Sequence, residues 1–188
     1  DNRPYGLAFE NASKALYPYG HPYSWLTIGY VEDLNRVDVN DLKNFFMRWY
    51  GPNNAALTIG GDVKPAEVVK LVVKYFGSIP RGSEVKNVNV PPAVVKQDRY
   101  VSYTDNYAKL PLLSVVFPTV PNYHKDMGAL TCLSQVLGQG RNSVLYQELV
   151  KKQLALQASA FSNLSELAGE FSFQLTPSPG KSLAAMDS

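Results

Sequence analysis

Apolar positions along this chain recur at helical spacing in several separate stretches, and at strand spacing near its C-terminal end. Leu7, Phe9, Ala12, Ala15 and Leu16 predict a helix over 6–17. It runs into Tyr17-Pro18-Tyr19-Gly20-His21-Pro22-Tyr23, where prolines and a glycine forbid regular structure and tyrosines favour a packed loop. Residues 25–31 read as a loop or a short helix. Asp38 is a good N-cap with Asp41 in the first turn, and Val39, Leu42, Phe46 and Trp49 share a helical face. Gly51 stands where a C′ glycine ends a helix, and Pro52 prevents resumption. Asn54–Ile59 is short, apolar and bounded by turn residues, which predicts a strand buried on both faces. Pro65 then opens a helix with Val68, Leu71, Val72, Tyr75 and Phe76 inward, closed by Gly77 and Pro80.

Residues 81–97 have little periodicity and contain Pro91-Pro92, so they read as a linker. Arg99–Tyr107 and Leu110–Phe117 predict two strands or one interrupted strand. A helix is expected from about His124 to Leu137, with Met127, Leu130, Leu133 or Ser134, and Leu137 inward. Gly138-Gln139-Gly140 ends it, and Asn142 or Ser143 caps a further helix with Leu145 and Leu149 inward. Leu154–Phe161 and Ala168–Thr176 predict paired strands about a turn at 162–166. In the second, Phe171, Phe173 and Leu175 alternate with Ser172 and Gln174, as in an antiparallel sheet with one covered face. The order strand, helix, helix, strand, strand is α+β grammar, not repeating βαβ. The first residue is Asp1, and the helical pattern begun at 181–186 stops after a turn or two, so both ends read as cut from a longer protein.

Composition changes this picture little. Lys plus Arg is 18 and Asp plus Glu is 16, for a net charge of +2, which gives no electrostatic case for nucleic acid or an acidic membrane surface. No apolar run approaches a membrane span. Cys132 is the lone cysteine, so an internal disulfide is excluded, and its place in an apolar helical stripe predicts a buried, inert thiol.

Candidate chemistry is sparse. The two histidines, His21 and His124, lie far apart, and no helical His pair exists to hold zinc. Glu10 could meet His21, but an exposed helix carboxylate and a loop-ordering imidazole are the simpler reading. No Gly-x-Ser-x-Gly elbow occurs. Gly138–Ser143 follows a helix rather than a strand, so it reads as an interhelical turn and not a phosphate loop. Lys151-Lys152 reads as a solvated helix end matched to the dipole. The tyrosines could line a peptide groove, though packing at loop edges is their default.

Several motifs, in order, carry a family resemblance. The run Trp49-Tyr50-Gly51-Pro52-Asn53-Asn54-Ala55-Ala56-Leu57-Thr58-Ile59-Gly60-Gly61-Asp62-Val63 resembles the Tyr-x-Pro-x-Asn, apolar strand, Gly-Asp signature of the pitrilysin/insulinase zinc metallopeptidases. Lys74-Tyr75-Phe76-Gly77-Ser78-Ile79-Pro80 matches the helix end that follows it. Asp1-Asn2-Arg3-Pro4-Tyr5-Gly6 and Tyr17–Tyr23 resemble bacterial members, and 138–160 resembles the family's Gly-Arg-x-Ser-x-Leu-Tyr helix and Ala/Ser-rich strand.

The resemblance implies a two-layer α/β sandwich of the mitochondrial-processing-peptidase-like type. Its mixed or antiparallel sheet would be covered by helices on one side, in two lobes packed either side of 81–97. Residues 1–80 would close a catalytic-type domain, 81–97 would link, and 98–188 would open the adjoining non-catalytic domain. Family zinc sits on an inverted His-x-x-Glu-His helix plus a later Glu, with the motif Glu as general base. That motif is absent here and Glu10 lies too far along to be the third ligand. The resemblance therefore assigns no catalytic, cofactor-binding or metal residue to this chain and leaves zinc to the parent protein. Many members also carry a substrate-holding Arg and Tyr. Here Lys151 stands near the first and Leu156 replaces the second, as expected of a zinc-bearing half or of an inactive homologue.

The implied function is scaffold and chamber wall in a zinc metalloendopeptidase acting on enclosed peptides, the chain alone being inactive. The alternative is a non-catalytic homologue serving as structural or partner subunit. Peptide substrates of the parent, pairing with a homologous half or with a second copy through exposed strand edges, and a bacterial cell-envelope location complete the expectations.

Overall fold

The alternation at the C-terminal end builds the centre of the molecule. In the computed structural model, which describes residues 3–90 and 92–187, three strands form one sheet: β1 (Leu113–Thr119), β2 (Ala155–Leu164) and β3 (Gly169–Pro177). Their order is β1-β3-β2, and both pairings are antiparallel. The fold class is thus α+β. Asp1, Asn2, Pro91 and Ser188, which enter the resemblance, the linker and the domain spans, lie outside the described residues.

Register sorts the sheet's two faces. Phe173 stands opposite Val115 and Ala160, and Phe171 opposite Phe117 and Ser162. On the other face Ser172 meets Val116 and Phe161, Gln174 meets Ser114 and Ser159, and Glu170 meets Asn163. Helix α5 (Met127–Gly138) covers the apolar face, ending so close to β2 that a Cβ on Gly138 would lie 2.0 Å from the Ala160 nitrogen. Only glycine fits there. The polar face looks toward α1 (Ala8–Leu16), whose Ala8, Phe9 and Ala12 line a cleft together with Ser114, Ser172, Gln174 and Thr176. Helices therefore stand on both sides of the sheet, correcting the expected one-sided cover.

Contacts group the chain into two compact units. Residues up to Thr27 pack with those from Asn89 onward, and Ile28–Val88 form the other unit. The first 27 residues thus belong with the C-terminal sheet. The core of the larger unit gathers Leu16, Tyr17 and Ala168, with Tyr23, Ala93, Val95 and Val116 against them.

The smaller unit carries α2 (Val31–Leu34), α3 (Val39–Trp49) and α4 (Pro65–Phe76). Its local signals are well formed. Asp38 Oδ1 accepts the Asn40 and Asp41 N–H groups at 2.7 and 3.0 Å, and Asp41 Oδ2 accepts the Asp38 N–H at 3.0 Å, a complete capping box. Gly51 keeps φ at −72°, so it is not the left-handed cap expected. It is glycine because a Cβ would meet the Gly82 Cα at 2.8 Å. Asn53 holds that crossing, accepting from Gly82 N at 2.7 Å and donating to Ser83 O at 2.9 Å.

Several expected strands and helices change. Asn54 closes a short 3-10 turn at Pro52–Asn54, and Ala55–Ile59 is unpaired, with Leu57 59 % and Ile59 46 % exposed. An apolar run becomes a buried strand only if neighbours pair with it, and no described strand does. Arg99–Tyr107 is irregular because Asp105 draws the backbone into a turn, accepting the N–H groups of Tyr5, Tyr107 and Ala108 at 2.9, 2.7 and 2.8 Å. The next strand starts at Leu113, beyond Pro111, which has no N–H to give. The helix expected from His124 begins at Met127. The one after Ser143 is largely a π-helical turn at Tyr146–Val150. In α5 the inward residue is Ser134, while Leu133 is exposed.

Candidate functional site

Tyr17 ends α1 and is buried, with its hydroxyl reaching across to the sheet. There it donates to Glu170 Oε1 at 3.0 Å, joining residues 153 apart in sequence. The Pro-rich loop that follows folds back on the same ring. His21 stacks on Tyr17 at a centroid distance of 4.6 Å, and Tyr23 meets Tyr17 edge-on at 5.5 Å. The loop is held by its own polar atoms: His21 Nδ1 accepts the Tyr23 N–H at 3.1 Å, and the Tyr23 hydroxyl accepts the Leu167 N–H at 3.1 Å. The hairpin turn between β2 and β3 is thereby tied to the loop.

Two clefts open around this cluster. The larger, of about 870 Å³, is lined by Phe9, Tyr17, Tyr23, Trp25 and residues 162–165 of the hairpin. The smaller, of about 340 Å³, runs over the polar face of the sheet beside Tyr5, Ala12, Gln157 and Gln174. Phe9, Asn163 and Glu170 line both. Glu170 is the sole charged residue of either lining.

Burial dominates the electrostatics here. It pushes the Glu170 carboxyl above its ordinary range, with the Tyr17 hydrogen bond pulling the other way. Burial, then the Glu170 carboxylate and its hydrogen bond, then Tyr23, hold the Tyr17 phenol far above the usual phenol range. Burial also lowers His21, so its imidazole stays neutral at pH 7. With Nδ1 accepting, the proton sits on Nε2, which is buried and has no partner among the described residues. Such an unmet donor costs about 1–3 kcal/mol.

The residues weighed from sequence are dispersed. Glu10 pairs with Lys14 at 2.6 Å on its own helix, and its side chain is only 20 % exposed, correcting the exposed carboxylate expected. His21 is 2 % exposed and orders its loop. His124 lies 3.5 Å from Asp126 at the entry to α5. Cys132 is exposed, correcting the buried thiol expected, because its position on α5 faces away from the sheet-facing Ser134. In the 138–143 turn, Gly140 has φ +77° and its carbonyl accepts the Ser143 hydroxyl at 2.8 Å, so the segment is a self-bonded turn. Lys152 pairs with Glu148, and Lys151 donates to Gln147 Oε1 at 3.1 Å. Leu156 is half exposed.

Zinc does not fit these residues. Among the described residues no three His, Cys, Asp or Glu side chains converge, and the one buried imidazole already accepts a backbone N–H through Nδ1. Sequence reasoning passed over the Tyr17–Glu170 pair. One signal was available: Glu170 is the lone charge in the alternating run from Gly169 to Pro177.

Known proteins resemble this chain over most of its length. The family model described as the peptidase M16 inactive domain matches residues 36–188. The zinc protease PqqE of Helicobacter pylori is 34 % identical over 185 residues, which are 92 % of this chain and 39 % of that protein. The crystal structure of a protease from Helicobacter pylori superposes with a TM-score of 0.79 at 31 % identity, covering 100 % of this chain and 46 % of that one. The periplasmic protease PqqL from Escherichia coli shares the fold, with a TM-score of 0.68 at 18 % identity over 90 % of this chain and 19 % of that one. The chain thus spans less than half the length of these relatives. Among the described residues, no helix is long and apolar enough to cross a membrane. On the family match and the close relative together, the chain belongs to the M16, or pitrilysin, peptidase family and carries its inactive domain.

Proposed function

We propose that this chain is a scaffold segment of a zinc endopeptidase that cleaves peptides in an enclosed chamber. It supplies part of the chamber wall, and residues outside it supply the zinc chemistry. The observation that carries the reading is the donor geometry of a segment matched by an inactive-domain model. Among its described residues no three His, Cys, Asp or Glu side chains converge, while two clefts open on its surface. In this reading 1–80 close one domain and 98–188 open the next, although the family match runs across the boundary. The periplasmic relative suggests the cell envelope as the compartment, which fractionation of the source cells checks.

Zinc content and peptide turnover, measured on this chain and on the full-length parent, test the proposal. The expected result is no stoichiometric zinc and no turnover from the chain, with one zinc and turnover from the parent. A parent that binds no zinc and cleaves nothing would contradict the proposal and favour a non-catalytic homologue. Tight zinc on the chain itself would overturn the assignment of the metal to other residues.

A further inference from the structure

We propose that the two joined clefts around Glu170 recognise a basic side chain, a guanidinium or alkylammonium group carried on a peptide. A carboxylate placed at the junction of two clefts with no cation in either lining is an incomplete arrangement. The residues that surround it are the ones a cation needs. Phe9, Tyr23 and Trp25 line the larger cleft with aromatic rings, to which a weakly hydrated cation is attracted. Asn163, Ser165 and Thr27 offer neutral oxygens to its N–H groups. Tyr17 fixes the carboxylate by holding Oε1, so the acceptor is preorganised before a ligand arrives. Lys14 pairs with Glu10, and the Arg99 guanidinium donates to the Ala15 carbonyl.

Electrostatics favours this occupant over an anion or a neutral group. Burial raises the Glu170 carboxyl, against the pull of the Tyr17 hydrogen bond. A cation beside it would oppose that rise. The peptide is argued from shape: the larger cleft has the volume of a ligand pocket, and the smaller continues from it over a row of polar strand residues, Ser172, Gln174 and Thr176. An extended chain could place a basic side chain by Glu170 and its backbone along that row. The proposal draws on the peptidase reading only for the source of the cation, and its test measures binding without zinc or turnover.

The test is calorimetric titration of the full chain with a capped Ala-Ala-Arg-Ala-Ala peptide and with its citrulline analogue, isosteric but uncharged. The arginine peptide should bind at least tenfold more tightly at pH 7. The ratio should fall to about one in Glu170→Gln and stay unchanged in Glu166→Gln, a control carboxylate exposed in the hairpin turn. Circular dichroism melting confirms that each variant is folded. Tyr17→Phe, which keeps the ring and the charge, should retain most of the ratio and so separates loss of charge from loss of packing. Equal binding of the two peptides, or no binding of either at millimolar concentration, would overturn the proposal. Equal affinity for the small Nα-acetyl-arginine amide would overturn its peptide part.

Discussion

Residues 28–88 and the sheet-centred unit begin from equally good local signals, yet only one of them buries anything. The smaller unit has a complete capping box at Asp38, a proline opening α4, and amphipathic stripes on α3 and α4. None of its residues is buried. Phe45, Phe46, Trp49 and Tyr50 touch one another, with ring centroids 4.7 Å apart for Phe46 and Tyr50, while each stays partly or largely exposed. The sheet-centred unit contains every buried residue among those described, including Leu16, Tyr17, His21, Ala160, Phe171 and Leu175. The difference lies in β pairing. A hairpin with a third strand offers two faces, and α5 and α1 each find one. The extended run at Ala55–Ile59 has no strand beside it, so its flanking helices have nothing to cover. Capping and periodicity make helices; a paired sheet makes a core.

Paired substitutions break this comparison most sharply. Phe171 is 4 % exposed beneath α5 and Phe46 is 50 % exposed. Phe171→Ala should cost about 3–5 kcal/mol, the usual loss for a buried aromatic truncated to alanine. Phe46→Ala should cost less than about 0.5 kcal/mol, as surface changes do. Urea unfolding of both variants reads the difference, and similar losses would refute it. Gly138→Ala comes next. Its Cβ would strike the β2 backbone, so α5 must shift, at a cost of about 1–3 kcal/mol for an overpacked contact. A change within error would mean that the helix and strand do not pack as described.

The Glu170 carboxyl sharpens the comparison through pH. Its pKa is raised in the folded protein above the ordinary 4.5, so it contributes stability that is present below about pH 4.5. That contribution is lost as pH rises through the raised value. Glu170→Gln keeps an acceptor for Tyr17 and removes the ionisation. Its melting temperature should therefore exceed that of the wild type at pH 7, with the gap closing toward pH 4. His21, lowered by burial, works in the opposite direction, its contribution present above pH 6.5 and lost in acid. Comparing two proteins that both keep His21 removes that effect. A wild type more stable than the variant at pH 7 would contradict the assignment.

Asp38→Ala gives the smallest effect. Faster exchange of the Asn40 and Asp41 amides and lower helicity over 39–49 are expected, with the urea midpoint unchanged. A lower midpoint would tie α3 to the core.

What was legible in the sequence was whatever a few adjacent residues decide. Asp38, Pro65 and the Phe171-Phe173-Leu175 alternation gave their helices and strand in place. The self-bonded turn at 138–143 was likewise local. Burial was not legible, since it depends on partners: Ala55–Ile59 has the composition of a buried strand and lacks the neighbours. Cys132 looked buried because the apolar stripe left the inward position open between Leu133 and Ser134, whereas Ser134 faces inward and Cys132 away. The candidate site was hidden for a related reason. Tyr17 and Glu170 lie at opposite ends of the chain, and only the packing of α1 across the sheet's polar face joins them. The resemblance to zinc peptidases rested on scaffold residues, so it reached the family and stopped short of any site.

Hydrogen exchange on the 188-residue chain tests the central contrast most directly. The amides of Phe171 to Thr176, held between β1 and β2, should be the slowest in the molecule, approaching the global unfolding limit. Those of Ala55–Ile59 should exchange within seconds. Comparable protection of the two segments would show that the smaller unit has a paired, buried strand after all, and would contradict the account.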